Sequence, residues 1–254
     1  MKITILGCSG GIGSHLRTTA MLVDDDILID AGTGVGDLSI DQLTLIDNIF
    51  VTHSHLDHIA CLPFLLDTVM GRRTSPVTLH ALAETIHALK THIFNWKIWP
   101  DFNAIPDASQ PLLQYSAIRL GETTIINDRG ITALPVNHVV PAVGYLLDSG
   151  KNSLVFSGDT TVCDAFWQQV NQIDNLKYLI IETAFGNSEI ALARVSKHLC
   201  PSMLFDELAK LERPAEVYIT HLKPGEGEEI MQEIALSFTE PKPKALTHQQ
   251  KFQL

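Results

Sequence analysis

Short runs of apolar, β-branched residues recur along the chain, and most of them end in a polar or ionisable side chain. The runs are DILIDAG, NIFVTHSH, ITALPVNH, SLVFSGD, YLIIE and EVYITH, and a further run, MKITIL, stands at the beginning. Such runs predict β-strands. Since ligand-type side chains follow so many of them, we expect an active site along one edge of a sheet.

Between some of these strands, apolar residues recur at spacings of three and four, which predicts amphipathic helices. Strands mixed with helices predict an α/β fold in which sheets carry outer helices. The predicted helical segments are residues 58–69, 84–94, 164–173, 198–211 and 227–236.

Length and composition favour one domain over residues 1–254, because 45% of the 254 residues are apolar and no Pro, Gly or Ser-rich linker divides them. No run approaches the roughly 18 apolar residues of a membrane span. MKITILGCSGG becomes Gly-rich too early for a signal peptide. We therefore expect a cytoplasmic protein without a membrane partner. The cysteines are widely separated, which predicts reduced, mostly buried thiols at Cys8, Cys61, Cys163 and Cys200.

Charge limits the partners further. The chain has 29 acidic and 18 basic residues and a formal net charge of -11, so a large polyanion such as RNA would be repelled at long range. No basic cluster stands out to offset this repulsion. We expect a small-molecule substrate and no nucleic acid, and any phosphate chemistry would require a local cation such as a bound metal.

The segment VTHSHLDHIA places three imidazoles and a carboxylate at one chain turn. Together with later strand ends, the chain offers five imidazoles and two carboxylates, which is too many for one structural ion. They suit two borderline divalent ions such as zinc with one position left open, an arrangement that recurs in displacement at phosphorus. The candidate ligands are His53, His55, Asp57, His58, His138, Asp159 and His221.

The motifs HSHLDH, PVNH, SGDT and ITHLKPG resemble the metallo-β-lactamase superfamily over nearly the whole chain. The resemblance implies an αββα sandwich of two mixed β-sheets with outer helices. It also implies that Asp30, in LIDAGTG, supports the ligand loop without binding metal. The implied ligands are His53, His55 and His138 for one metal, and Asp57, His58 and His221 for the other, with Asp159 between them.

Two later motifs resemble the phosphodiesterase branch of that superfamily. IIETAF contains Glu182 and SKHLCP contains His198, and both are similar to motifs shared by tRNA 3' processing endonucleases and class II cyclic-nucleotide phosphodiesterases. The resemblance implies that Glu182 orients His198, which protonates the leaving group. We count Asp57 with them as catalytic. The alternative is a solvent-facing His198 at a helix N-terminus and a surface carboxylate at Glu182.

Spacing separates the two kinds of phosphodiesterase. The tRNA endonucleases carry a long Gly-rich arm between the third histidine motif and the bridging aspartate, whereas here a hairpin's length joins His138 to Asp159. We predict hydrolysis of 3',5'-cyclic AMP or cyclic GMP to the 5' monophosphate by attack of a metal-bridging hydroxide. The ions are zinc, or alternatively manganese or iron. The alternatives are a tRNA 3' processing endonuclease, a di-iron oxygen-binding or sensing protein, and a thioester or lactone hydrolase.

Three other features have less specific interpretations. The segment HIFNWKIWPDF contains aromatic residues that could stack on a purine, pack in the core or form the contact of a homodimer: Phe94, Trp96, Trp99 and Phe102. The Gly-rich GCSGGIGSHLRTT lacks the Walker lysine and predicts a tight turn beside the metal site. The histidines without motif context, which we expect to be structural or exposed, are His15, His80, His87, His92 and His248.

Overall fold

The computed structural model describes residues 1–239 and 242–254, and its strands and helices are given for those residues. The strands are β1 (Lys2–Gly7), β2 (Ala20–Val23), β3 (Ile27–Ile29), β4 (Asn48–Phe50), β5 (Val77–Ala81), β6 (Pro106–Asp107), β7 (Gln110–Pro111), β8 (Leu113–Ala117), β9 (Thr123–Ile126), β10 (Arg129–Pro135), β11 (Val143–Asp148), β12 (Ser153–Phe156), β13 (Leu176–Glu182), β14 (Glu216–Thr220), β15 (Lys244–Ala245) and β16 (Lys251–Gln253). The α-helices are α1 (Ile40–Leu45), α2 (Leu56–Ile59), α3 (Leu62–Val69), α4 (Ala83–His92), α5 (Asp164–Val170), α6 (Ile190–Ser196), α7 (Pro201–Leu208) and α8 (Gly227–Ser237).

The strands form two mixed sheets of seven strands each within the described residues. One has the order β16-β1-β2-β3-β4-β5-β8 and the other has the order β15-β14-β13-β12-β11-β10-β9. Both contain parallel and antiparallel pairs, such as β3 with β4 and β1 with β2 in the first sheet. The separate pair β6 and β7 makes a short hairpin.

Side-chain alternation along the central strands divides the interior into layers. In β3, Leu28 packs in the cluster that includes helix α3, whereas Ile27 and Ile29 pack in the cluster between the sheets. In β12, Val155 faces the cluster formed with α5, α7 and α8, whereas Phe156 faces the other sheet. This alternation is the reason for the apolar runs: both faces of each central strand are buried. The predicted αββα sandwich of two mixed sheets with outer helices is confirmed.

The five predicted helical segments are confirmed with shifted boundaries. Segment 58–69 divides into α2 and α3, and α4, α5 and α7 end two or three residues earlier than predicted. Helix α7 begins at Pro201 and not at residue 198, because proline lacks the N–H group and favours the first helical position. His198 therefore lies in the connection between α6 and α7. Two short helices, α1 and α6, were not predicted, although Ser39 and Gln42 form a capping box that marks the start of α1.

Strand direction decides where the ligands meet. Because β11 is antiparallel to both β10 and β12, these two flanking strands run the same way. Strands β13 and β14 continue that direction in parallel pairs. The carboxyl ends of these strands consequently lie at one edge of the second sheet, and the residues that follow them share that edge.

In the described part of the chain, no helix has both the length and the apolar character required to cross a lipid bilayer. All four cysteines, which lie in that part, are free thiols, as predicted, but Cys8, Cys61 and Cys163 are only partly buried. Burial raises the pKa of Cys8 to about 11, so its reactive thiolate is scarce at neutral pH.

Candidate metal centre

The seven predicted ligands come together at the edge where these strands end. Each of them stands in a loop or a short helix directly after a strand, so the sheets fix where each backbone enters the site. His53, His55, Asp57 and His58 follow β4, His138 follows β10, Asp159 follows β12, and His221 follows β14.

The ligand atoms of these residues fall into two groups with a shared member. Within each group, the nitrogen and carboxylate oxygen atoms of these described residues all lie within 4.8 Å of one another. Such a spacing is compatible with one cation held by each group. The first group is His53, His55, His138 and Asp159; the second is Asp57, His58, Asp159 and His221.

Asp159 faces both groups with different oxygen atoms. Its Oδ1 lies 3.3 Å from His58 Nε2 and 3.2 Å from His221 Nδ1, which belong to the second group. Its Oδ2 lies 3.7 Å from His53 Nε2 in the first group. A bridging role for this carboxylate is therefore stereochemically available, and the imidazoles around it hold the pKa of Asp159 well below its usual range despite burial.

Hydrogen bonds on the far side of three imidazoles fix which nitrogen faces the centre. The Thr52 hydroxyl donates to the Asp30 carboxylate, so it can only accept from His53 Nδ1, at 3.0 Å. His58 Nδ1 donates to Asp30 Oδ2 at 2.7 Å. His138 Nδ1 donates to the Lys197 carbonyl oxygen at 3.2 Å. Each ring therefore turns its Nε2 atom inward, and in the neutral ring that atom carries the lone pair that binds a metal.

Asp30 holds the ligand loop from beneath. It is fully buried, and besides His58 it accepts a hydrogen bond from the Thr52 backbone N–H at 2.7 Å. Its position matches the supporting role that the resemblance implied. Sequence reasoning missed Thr52, which joins Asp30 to His53, and Lys197, whose backbone oxygen accepts the hydrogen bond from the His138 ring. A threonine directly before the HSHLDH motif was a signal that could have been used.

The residues present fit a pair of divalent cations. His53 Nε2, His58 Nε2 and His221 Nδ1 are buried and have no hydrogen-bond partner among the described residues. Buried polar atoms without a partner are costly, and these point into the two groups. Burial also lowers the pKa of His138 to about 4 and that of His221 to about 3, so both rings are neutral and able to coordinate at neutral pH.

Glu182 and His198 form a pair beside these groups. Glu182 is fully buried at the end of β13, and its Oε1 accepts a hydrogen bond from His198 Nδ1 at 2.7 Å. The Leu199 N–H donates to its Oε2 at 3.2 Å. The alternative of a solvent-facing His198 is wrong, because only 7% of this residue is exposed.

The Gly-rich segment lies against the centre, as expected of a tight turn. A Cβ atom on Gly10 would come within 2.8 Å of the His221 ring, so glycine is required for this close approach.

The residues of the aromatic segment differ in burial: Phe94 and Phe102 are core residues, whereas 61% of Trp96 is exposed. The five histidines without motif context lie outside both groups, and His80 is the buried one among them.

Comparison with known proteins identifies the family. A model of the β-lactamase superfamily domain matches residues 25–248, which is most of the chain. The chain belongs to the β-lactamase superfamily. The solved structure of unliganded yeast PDE1 has the same fold, with a TM-score of 0.81, 20% identity and coverage of 100% of this chain and 99% of that one.

Two relatives with detectable sequence similarity to this chain have names that belong to the phosphodiesterase branch of the superfamily. A probable 3',5'-cyclic-nucleotide phosphodiesterase from Yersinia pestis is 27% identical over 70% of this chain and 57% of its own length. The chain thus spans little more than half of that relative. A ribonuclease Z from Clostridium beijerinckii is 32% identical over 57% of this chain and 48% of its own length. Relatives named as a phosphodiesterase and a ribonuclease, together with a candidate metal centre, agree with the hydrolase class predicted from the sequence.

We expect close to two divalent ions per chain in protein purified without chelators. Two groups of converging ligands are present, and hydrogen bonds orient His53 and His138 in the first group and His58 in the second. Elemental analysis by mass spectrometry on a sample of known concentration measures the ratio. A ratio near one in a fully active preparation would contradict a dinuclear centre.

Proposed function

We propose that this chain is a dinuclear metal-dependent phosphodiesterase that hydrolyses 3',5'-cyclic nucleotides to 5' monophosphates. The observation that carries the proposal is the position of the Glu182–His198 pair. The His198 ring lies 5.1 Å, between ring centroids, from His138 in the first ligand group and equally far from His221 in the second. A proton donor therefore stands next to both metal groups, where the leaving oxygen of a phosphodiester would depart.

The two ligand groups would hold the ions, with zinc as the proposed metal because imidazole and carboxylate are its usual ligands. Bound there, two divalent ions supply a water of lowered pKa and neutralise charge on the phosphoryl oxygens. Asp57 is the less buried carboxylate of its group, with 28% of its side chain exposed. We assign it the role of accepting a hydrogen bond from the attacking water.

His198 is suited to give a proton to the departing 3' oxygen. Burial disfavours the charged imidazole, but the adjacent Glu182 carboxylate outweighs burial and raises the pKa of His198. The hydrogen bond from Nδ1 to Glu182 fixes the ring and leaves Nε2–H as the group available to the substrate. A ribose alkoxide is a poor leaving group, so this proton contributes to the rate.

A small substrate is favoured by the connection that joins the two sides of the centre. Strands β11 and β12 are joined by residues 149–152 alone, so the interval between His138 and Asp159 contains a hairpin and no further arm. The formal net charge of -11 acts against a long polyanion as well. The proposed partner is consequently a small phosphodiester, and the relative from Yersinia pestis bears a name that agrees with it.

Cleavage of precursor tRNA is the second candidate, because the Clostridium beijerinckii relative is named ribonuclease Z and shares the higher identity over its aligned part. A di-iron protein that handles dioxygen is disfavoured by the intact His55, whose Nδ1 lies 3.2 Å from His138 Nε2 within the first group. Proteins of that kind resemble this chain but have a carboxylate at the position of His55.

A substrate panel tests the proposal. We expect turnover of 3',5'-cyclic AMP or cyclic GMP to the 5' monophosphate and little cleavage of precursor tRNA, since the hairpin between His138 and Asp159 carries no arm that would hold a tRNA. Product analysis by liquid chromatography and a gel assay with labelled precursor tRNA measure the two activities in parallel. Efficient tRNA cleavage by a preparation that leaves both cyclic nucleotides intact would reverse the ranking.

A further inference from the structure

Lys197 adopts a backbone conformation that side chains other than glycine rarely take. It ends helix α6 with φ 55° and ψ 51°, in the left-handed region. Helices commonly end in this conformation, but glycine is the usual residue there because it has no Cβ. A strained residue that persists beside a functional site suggests that its side chain contributes something that glycine could not.

The contacts of Lys197 show what that contribution is. Its backbone oxygen accepts the hydrogen bond from His138 Nδ1 at 3.2 Å. Its ammonium group donates to the His138 backbone oxygen at 3.1 Å and to the Asn137 Oδ1 atom at 3.0 Å. Lys197 therefore forms hydrogen bonds with both the ring and the main chain of His138, although the two residues are 59 positions apart in the sequence.

These contacts close a circuit around the centre. The Asn137 N–H donates to Thr160 Oγ1 at 3.1 Å, and the Thr160 N–H donates to Glu182 Oε1 at 3.1 Å. Glu182 in turn accepts from His198 Nδ1, and His198 directly follows Lys197 in the chain. The circuit links a ligand of the first metal group to the proton donor, so a shift of Lys197 would displace both.

We propose that Lys197 is a positioning residue that sets the distance between the ligand His138 and the proton donor His198. The proposal rests on the metal-dependent function proposed above. The left-handed turn brings the His198 ring inward to Glu182, and the ammonium group holds the His138 segment against that turn. The strain at Lys197 is retained because a glycine would permit the turn but leave His138 without its main-chain partner.

Replacement of the side chain separates the two effects. Lys197→Gly relieves the backbone strain, and Lys197→Met keeps the Cβ atom and the stem but lacks the ammonium group. For both variants we expect the affinity for Zn²⁺ and the kcat for a cyclic nucleotide to fall roughly 10- to 100-fold, as for other residues that orient metal ligands. The thermal midpoint of the metal-free Lys197→Gly variant should not fall below that of Lys197→Met. Lys197→Arg should recover part of both losses, because a guanidinium also donates.

Zn²⁺ affinity is measured by competition with a chromophoric chelator, and Gln249→Gly is the matched control. Gln249 is an exposed residue with φ 64° in the segment before β16, so its replacement removes a Cβ from another left-handed position. It should bind Zn²⁺ as the natural chain does. Natural affinity and kcat in both Lys197→Gly and Lys197→Met would overturn the role of Lys197. His138→Ala distinguishes the other failure: if that variant loses no metal, the proposed centre itself is wrong.

Discussion

Asp159→Asn is expected to empty both metal groups and to abolish most of the hydrolytic activity. The two oxygen atoms of Asp159 face different groups, so this one side chain serves both. The amide has almost the same shape but no charge, and one of its ends carries N–H donors that would point at the cation of one group. Loss of the ions would remove several kcal/mol of transition-state stabilisation, which corresponds to about 10³-fold or more in rate.

Elemental analysis and kinetics on the same sample check this prediction. Asp174→Asn is a matched control, since 90% of the Asp174 side chain is exposed and the same charge is removed there. His138→Ala gives the intermediate case, because His138 belongs to the first group alone. A variant Asp159→Asn that keeps one full equivalent of metal would show that the carboxylate serves a single ion.

His198→Ala should lose on the order of 10²- to 10⁴-fold in rate on a cyclic nucleotide while it keeps its metals and its fold. The ribose 3' oxygen leaves badly without a proton, whereas a nitrophenolate leaves readily without one. The same variant should therefore retain much more of its activity on a p-nitrophenyl phosphodiester. Glu182→Gln should show a weaker version of the pattern, because the amide still holds the ring but no longer favours its charged form.

The comparison of the two substrates, with metal content and thermal midpoint measured on each variant, separates the roles open to His198. Equal losses on both substrates at unchanged metal content would mean that His198 stabilises charge on the phosphoryl oxygens and does not protonate the leaving group. Unchanged rates on both substrates would remove His198 from the chemistry altogether. Its burial between Glu182 and the ligand rings makes that outcome the least expected.

The family and the fold could be predicted from the sequence because their signals are local. HSHLDH contains four ligand-type side chains within six positions, and recognition of such a motif depends on residue identity and spacing alone. The strand ends were readable for a related reason: a central strand buried on both faces must be apolar throughout, so the first polar residue after the apolar run marks the end of the strand. Helix α7 was misplaced by three residues because apolar spacing continues through Leu199 into the helix, while the break is made by Pro201.

The sequence alone determined the set of ligand-type side chains and the strands that precede them, because both can be recognised from the residue types in short consecutive segments. The division of those side chains around Asp159 was implied by the family resemblance, and the tertiary structure supplies its geometry, with one oxygen of Asp159 facing each group. The tertiary structure alone placed His198 next to one ring of each group. It also decided the supporting contacts, such as the carbonyl oxygen of Lys197 under His138. Every residue has a backbone carbonyl, so this contact cannot be predicted from the residue type at position 197. Only tertiary packing, here of the end of α6 against the loop after β10, determines which backbone atom meets a given imidazole.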